Sequence, residues 1–159
     1  MLRLCVRAGA GATTALHTRT ALRAFSSKIK YVGDVGNCLS FQCVHPAATT
    51  LTPRDFRGRV VLVVNTASTC ATAAAQLPAL QQLYTTYHAR GLDIVAVPSN
   101  DFDKKEPLAS DMELAMMYTA PDGPFQVTFP VATKSAVIGD NAHAFFAHVA
   151  KKYGRSVAP

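Results

Sequence analysis

Four cysteines, Cys5, Cys38, Cys43 and Cys70, are the side chains of this 159-residue chain best suited to covalent chemistry. A thiol becomes a nucleophile by losing its proton. An ordinary cysteine is only ~3% ionised at pH 7, and each unit by which its surroundings lower the pKa is worth ~1.4 kcal/mol. Cys38 and Cys43 are an odd number of residues apart and would face opposite sides of a regular strand. They would stand roughly 16 Å apart when extended, beyond the reach of a disulfide. No C-x-x-C occurs and no Cys or His pair has zinc spacing. His17, His45, His88, His143 and His148 are scattered and read as solvated or core side chains. Cys70 differs, because it sits between a buried-strand pattern and an amphipathic-helix pattern. Unpaired helix-terminal N–H groups and the positive end of the helix dipole favour a thiolate there. On position alone, a reactive thiolate and a buried structural thiol fit Cys70 equally well.

The elements around Cys70 follow from hydrophobic spacing. Val60-Val61-Leu62-Val63-Val64 is an unbroken apolar run after Gly58, suited to a strand covered on both faces. Leu77, Leu80, Leu83, Tyr84 and Tyr87 recur at three and four, which predicts one face of a helix ended by Gly91. Leu92 to Val97 is a second strand stopped by Pro98. Strand, helix and strand within about 40 residues make a βαβ unit with parallel strands, whose ligands gather at the carboxyl ends. Upstream, Leu39 to Val44 reads as a strand ended by Pro46, and Leu51 to Arg57 as a turn or helical start. Downstream, Met112 to Tyr118 is a helix. Val127 to Val131 is an extended segment that Pro130 assigns to an edge or irregular strand. Asn141 to Lys152 is the last helix, with Asn141 placed to cap it.

The formal charge of +6 is unevenly placed. Arg3, Arg7, Arg19, Arg23, Lys28 and Lys30 precede the first acid, Asp34, and the rest of the chain sums to zero. Scattered Arg with Leu, Ala, Thr and Ser and no acid is the composition of a mitochondrial presequence. Arg23-Ala24-Phe25-Ser26 resembles a processing site with cleavage after Phe25. The domain expectation is therefore a presequence over 1–25, a linker over 26–38 and one domain over 39–159, located in the mitochondrial matrix. A neutral domain without a basic, aromatic-interleaved patch argues against nucleic acid. Phe125, Phe129, Phe145 and Phe146 read as core. No apolar run approaches the ~20 residues of a membrane span.

Gly58-Arg59-Val60-Val61-Leu62-Val63-Val64-Asn65-Thr66-Ala67-Ser68-Thr69-Cys70 resembles the glutathione peroxidase family's G-K-V-x-L-x-V-N-V-A-S-x-C. Further pieces follow in order. Leu80, Leu83, Tyr84 and Tyr87 resemble the helix after the family's nucleophile. Val97-Pro98-Ser99-Asn100-Asp101-Phe102 with Glu106-Pro107 resembles F-P-C-N-Q-F and Q-E-P. Thr128-Phe129-Pro130 and Gly139-Asp140-Asn141-Ala142-His143 resemble T-F-P and G-x-N-A-H. The resemblance spans about residues 39–152. It implies an α/β, thioredoxin-like three-layer sandwich lacking the family's last strands and helix. It also implies that Asn141 and His143 serve the fold. By the same resemblance, Cys70 is the peroxidatic residue. Its thiolate would reduce hydrogen peroxide or organic hydroperoxides through a sulfenic acid, as part of the response to oxidative stress. Glutathione or another thiol would be the reducing co-substrate, and no bound cofactor or metal is expected.

Three departures qualify what the resemblance implies. Asp101 stands where the family has Gln; a carboxylate cannot donate to the sulfur and would oppose a thiolate if it faced Cys70, but not if it turned to Lys104 or Lys105. The chain has no Trp and ends at Pro159, before the family's W-N-[FY] segment. No Cys follows Cys70, and Met116, Met117 and Tyr118 occupy the region of the family's resolving Cys. That leaves a glutathione-type cycle or resolution by Cys43. Ala71 replaces the family's Gly after the nucleophile. The early end implies an uncovered apolar face and strand edge, and hence a shortened product or a protein partner that supplies the cover. The competing expectation is a catalytically degraded relative acting as a binding or structural subunit of a mitochondrial assembly.

Overall fold

The computed structural model describes residues 3–7, 29–32, 38–47 and 49–154, the first two segments as backbone strands alone. The expected presequence and linker thus lie largely outside the described residues. In chain order the strands are β1 (Arg3–Arg7), β2 (Ile29–Val32), β3 (Phe41–His45), β4 (Thr49–Leu51), β5 (Val60–Thr66), β6 (Leu92–Pro98) and β7 (Val131–Ala132). The helices are α1 (Ala71–Tyr87), α2 (Asp111–Thr119) and α3 (Ala144–Tyr153).

The strands form one sheet in the order β2-β1-β5-β6-β7-β3-β4. β5 and β6 are parallel, in register from Val60 opposite Leu92 to Thr66 opposite Pro98. That is the βαβ unit predicted from the two apolar runs. Neighbouring side chains of β5 divide between two cores, because successive residues of a strand point to opposite faces. Val61 and Val63 join Phe41, Cys43, Val95, Val97, Phe145, Phe146 and Val149 on one face, beneath α3. Leu62 and Val64 join Ile94, Ala96, Leu77, Leu80, Leu114 and Phe129 on the other, beneath α1 and α2. Helix, sheet and helices make the three expected layers. Each fully buried Val or Leu contributes about 1.5–3 kcal/mol, so this doubly covered strand pair is the rigid centre. β1 lies antiparallel along β5, from Arg3 opposite Val64 to Arg7 opposite Val60, so the outer edge of β5 is paired within the chain.

α1 follows the predicted spacing, with Leu77, Leu80 and Leu83 buried. Its end passes through a short 3-10 turn to Gly91, whose φ of 95° lies in the left-handed region that glycine accepts without strain. α2 begins at a capping box. The Ser110 side chain accepts from the Glu113 amide, and the Glu113 side chain accepts from the Ser110 amide.

Two expectations change. Of the two alternatives for the segment around Pro130, the edge falls, because β7 lies between β6 and β3, and the irregular strand stands, because its pairing with β3 shifts register between Cys43 and His45. Proline lacks a donor but keeps its acceptor, and the Pro130 carbonyl takes the Ala96 N–H at 2.9 Å before the two-residue strand begins. The last helix starts at Ala144, and its cap is His143 rather than Asn141. His143 Nδ1 accepts from the Phe145 amide at 3.3 Å. The imidazole also stacks on Phe41, with centroids 4.8 Å apart and planes within 5°. Burial lowers its pKa, against a weaker opposing effect of the Ser40 backbone, which keeps the ring neutral and able to accept. His143 thus serves the fold, as the motif implied.

Candidate active site

Cys70 is the N-cap of α1, at the carboxyl end of β5. The approach to it is fixed by backbone bonds. The Cys70 amide donates to the Ala67 carbonyl at 3.1 Å, and the Cys70 carbonyl accepts from Ala74 at 3.2 Å. The half-buried thiol opens on a cavity of about 130 Å³, room for several waters at ~30 Å³ each. Asn65 and Thr66 line it from β5, Ala67 from the loop that follows, and Ser99 and Phe102 from the loop after β6. Thr72, Asp103 and Lys105 complete the wall. This is the place a parallel sheet offers a ligand.

Opposing effects act on the sulfur. Burial raises its pKa. The N–H groups of Ala73 and Thr72, the Thr72 hydroxyl and the Lys105 charge lower it, and together they prevail. The thiol therefore ionises more readily than an ordinary cysteine. The sulfur closes no cap hydrogen bond of its own; the first-turn amides face it and gain strength as acceptor charge develops.

Beneath the loop lies a buried carboxylate. Glu106, with no exposed surface, accepts from the Ser68 amide at 2.7 Å and the Ser68 hydroxyl at 2.8 Å. It also accepts from the Tyr118 hydroxyl of α2 at 2.9 Å. Its own amide donates to Asn100 Oδ1 at 3.1 Å. One residue along, the Lys105 carbonyl accepts from both the Thr69 amide (3.1 Å) and the Thr69 hydroxyl (2.6 Å). The two residues before Cys70 are thus clamped to residues 105 and 106. Burial, then the Glu106 charge, holds the Tyr118 phenol far above its ordinary pKa, so it remains a donor.

Asp101, at the family's Gln position, does not line the cavity. Its Oδ2 accepts from the Val137 amide at 2.6 Å and the Ile138 amide at 3.1 Å. It turns neither toward the sulfur nor toward Lys104 or Lys105, and the structure does not bring Asp101 and Cys70 together. Cys43 is also remote. It packs in the core beneath α3, whereas Cys70 packs against the core beneath α1 and α2, so the sheet separates the two thiols. Burial pushes the Cys43 pKa up to about 11, despite the Leu51 backbone contact. In the native chain, iodoacetamide is expected to label Cys70 and spare Cys43 until denaturant is added. Peptide-resolved mass spectrometry checks this, and equal labelling of both would contradict it. Sequence reading missed Thr72 and Lys105 as neighbours of the sulfur and gave Glu106 no role beyond its motif. The E-P pair was the available signal, but its three donors come from distant segments.

Among the described residues, no cluster of His, Cys, Asp and Glu could hold a metal ion, and no helix is long and apolar enough to cross a membrane.

Residues 38–150 match the family profile described as glutathione peroxidase. A relative described as glutathione peroxidase homolog BsaA, from Bacillus subtilis (strain 168), is 38% identical over 110 residues, which cover 66% of each chain. One described as hydroperoxy fatty acid reductase gpx1, from Synechocystis sp. (strain ATCC 27184 / PCC 6803 / Kazusa), is 40% identical over 93 residues, 58% of this chain and 52% of that one. The chain therefore spans about half to two thirds of the length of these relatives. The crystal structure of Trgpx in apo form superposes with a TM-score of 0.51 at 24% identity, over 74% of this chain and 66% of that one. The fold is thioredoxin-like.

Proposed function

The chain belongs to the glutathione peroxidase family, and on that premise we propose that it is a thiol peroxidase with Cys70 as the attacking group. The observation that carries this is the position of Cys70: at a helix N-terminus, open to a cavity, beside Lys105, with its pKa lowered. The Cys70 thiolate attacks one oxygen of the hydroperoxide. An S–O bond forms, the O–O bond breaks, and the departing oxygen takes a proton and leaves as an alcohol or water. Sulfur is oxidised by two electrons and the peroxide reduced by two. A thiol co-substrate then attacks the sulfenic acid, releasing water and leaving a mixed disulfide. A second thiol frees Cys70 and departs in the oxidised disulfide. A reductant from outside the chain suits this site, because the sheet separates Cys43 from Cys70.

Consumption of hydroperoxide with glutathione, and separately with a thioredoxin-type donor, tests the reading on the full chain, with Cys70→Ser as control. Turnover that survives in Cys70→Ser sinks it. The basic, acid-free composition of residues 1–25 supports the further proposal of a mitochondrial presequence. Import with a mass decrease matching cleavage after Phe25 would bear this out, and retention of a full-length chain in the cytosol would refute it.

A further inference from the structure

We propose that Lys105 is a cation that favours the Cys70 thiolate alongside the first-turn amides of α1, and that Asp103 sets how strongly it does so. The inference rests on the peroxidatic reading of Cys70. The position that resembles the family's Gln cannot serve the sulfur, because Asp101 is committed to the amides of Val137 and Ile138. Lys105 stands in the cavity wall beside Cys70 instead.

The loop is built to bring it there. Asp103 and Lys104 both adopt left-handed backbone, at φ of 52° and 50°. That conformation is uncommon outside glycine, costs about 1–2 kcal/mol per residue, and clusters at functional sites. Two such residues in succession reverse the chain, so that Asp103, itself largely exposed, and Lys105 share the cavity wall while Lys104 stays outside it. The Lys105 carbonyl then locks onto Thr69, next to the nucleophile. These anchors belong to the backbone of residue 105, so its side chain can be changed without releasing the loop.

Lys105 Nζ also pairs with Asp103 Oδ2 at 2.9 Å, with the lysine side chain 44% exposed. The ammonium that pairs with Asp103 also acts on the Cys70 thiol through its charge. Asp103 competes with the thiol for the ammonium and adds a negative charge to the cavity wall. The other ionisable groups around the site do not duplicate this arrangement. Tyr118 and Glu106 are bonded to each other behind Ser68, and the first turn of α1 carries no acid.

The test is the pH dependence of Cys70 alkylation by iodoacetamide in the full chain, read on the Cys70 peptide by mass spectrometry. Lys105→Met should raise the midpoint by about half a pH unit and slow labelling at pH 7 roughly threefold. Lys105→Arg should restore it. Asp103→Asn should lower the midpoint, the opposite sign. A loop role alone would move Met and Arg alike and gives no reason for opposite shifts. An unchanged midpoint in Lys105→Met, or Asp103→Asn shifting it upward or not at all, overturns the proposal. No peroxide is used, so this outcome is separate from whether Cys70 reduces peroxides.

Discussion

Replacing Glu106 by Leu is expected to cost about 3–5 kcal/mol of folding stability, because three donors lose their only charged acceptor at once. The Ser68 amide, the Ser68 hydroxyl and the Tyr118 hydroxyl all converge on this one buried carboxylate. Two effects compete. Removing a buried charge recovers its desolvation cost, and exchanging a whole buried ion cluster for apolar groups is often neutral. Here only the acceptor goes while the donors stay, and each buried donor left unpaired costs about 1–3 kcal/mol. The second effect wins. Glu106→Gln separates charge from hydrogen bonding. Its amide oxygen can keep the Ser68 amide and Tyr118, and its amide nitrogen can donate to the Ser68 oxygen once that hydroxyl rotates. That variant should lose about 1–2 kcal/mol. Urea unfolding ranks the three proteins. A Leu variant as stable as the parent would show that the clamp contributes nothing.

Asp101→Ala is expected to destabilise by about 2–4 kcal/mol, from two lost bonds to a charged acceptor, while leaving the Cys70 alkylation midpoint where it was. The carboxylate ties the loop after β6 to Val137 and Ile138. Asp101→Gln restores the residue the family carries there, yet it too should leave Cys70 no faster, since this position faces away from the cavity. Thermal unfolding and the alkylation profile test the two halves separately. A rise in Cys70 reactivity on Asp101→Gln would show that a side chain at position 101 does reach the sulfur.

These cases mark how far the sequence could be read. The apolar run of β5, the spacing of Leu77, Leu80 and Leu83, and the place of Cys70 at the strand–helix junction were all legible. Each depends on a local pattern: an unbroken apolar run for a strand covered on both faces, and spacings of three and four for a helix with one buried face. Asp101 was legible as a changed residue but not as a harmless one, because its partners are amides 36 and 37 residues away. In Lys104-Lys105, two identical side chains differ only through the left-handed turn, which composition does not reveal. The extended segment at Pro130 was legible but its interior place in the sheet was not, because proline lacks the donor of an interior strand while its carbonyl still pairs. His143 displaced Asn141 as the cap because Phe41, a hundred residues earlier, holds its ring in place.

The central claim is that the α1 N-terminus makes Cys70 a peroxide-reducing thiolate. Its most direct measurement is the rate of Cys70 sulfenic acid formation in a single turnover with hydrogen peroxide at pH 7, against the same cysteine in the urea-unfolded chain. Full ionisation of an ordinary thiol can supply at most about 30-fold. The predicted result is a native rate above that limit and absent from Cys70→Ser, because the cavity must also place the peroxide and assist its leaving oxygen. A native rate no faster than the unfolded chain's would contradict it.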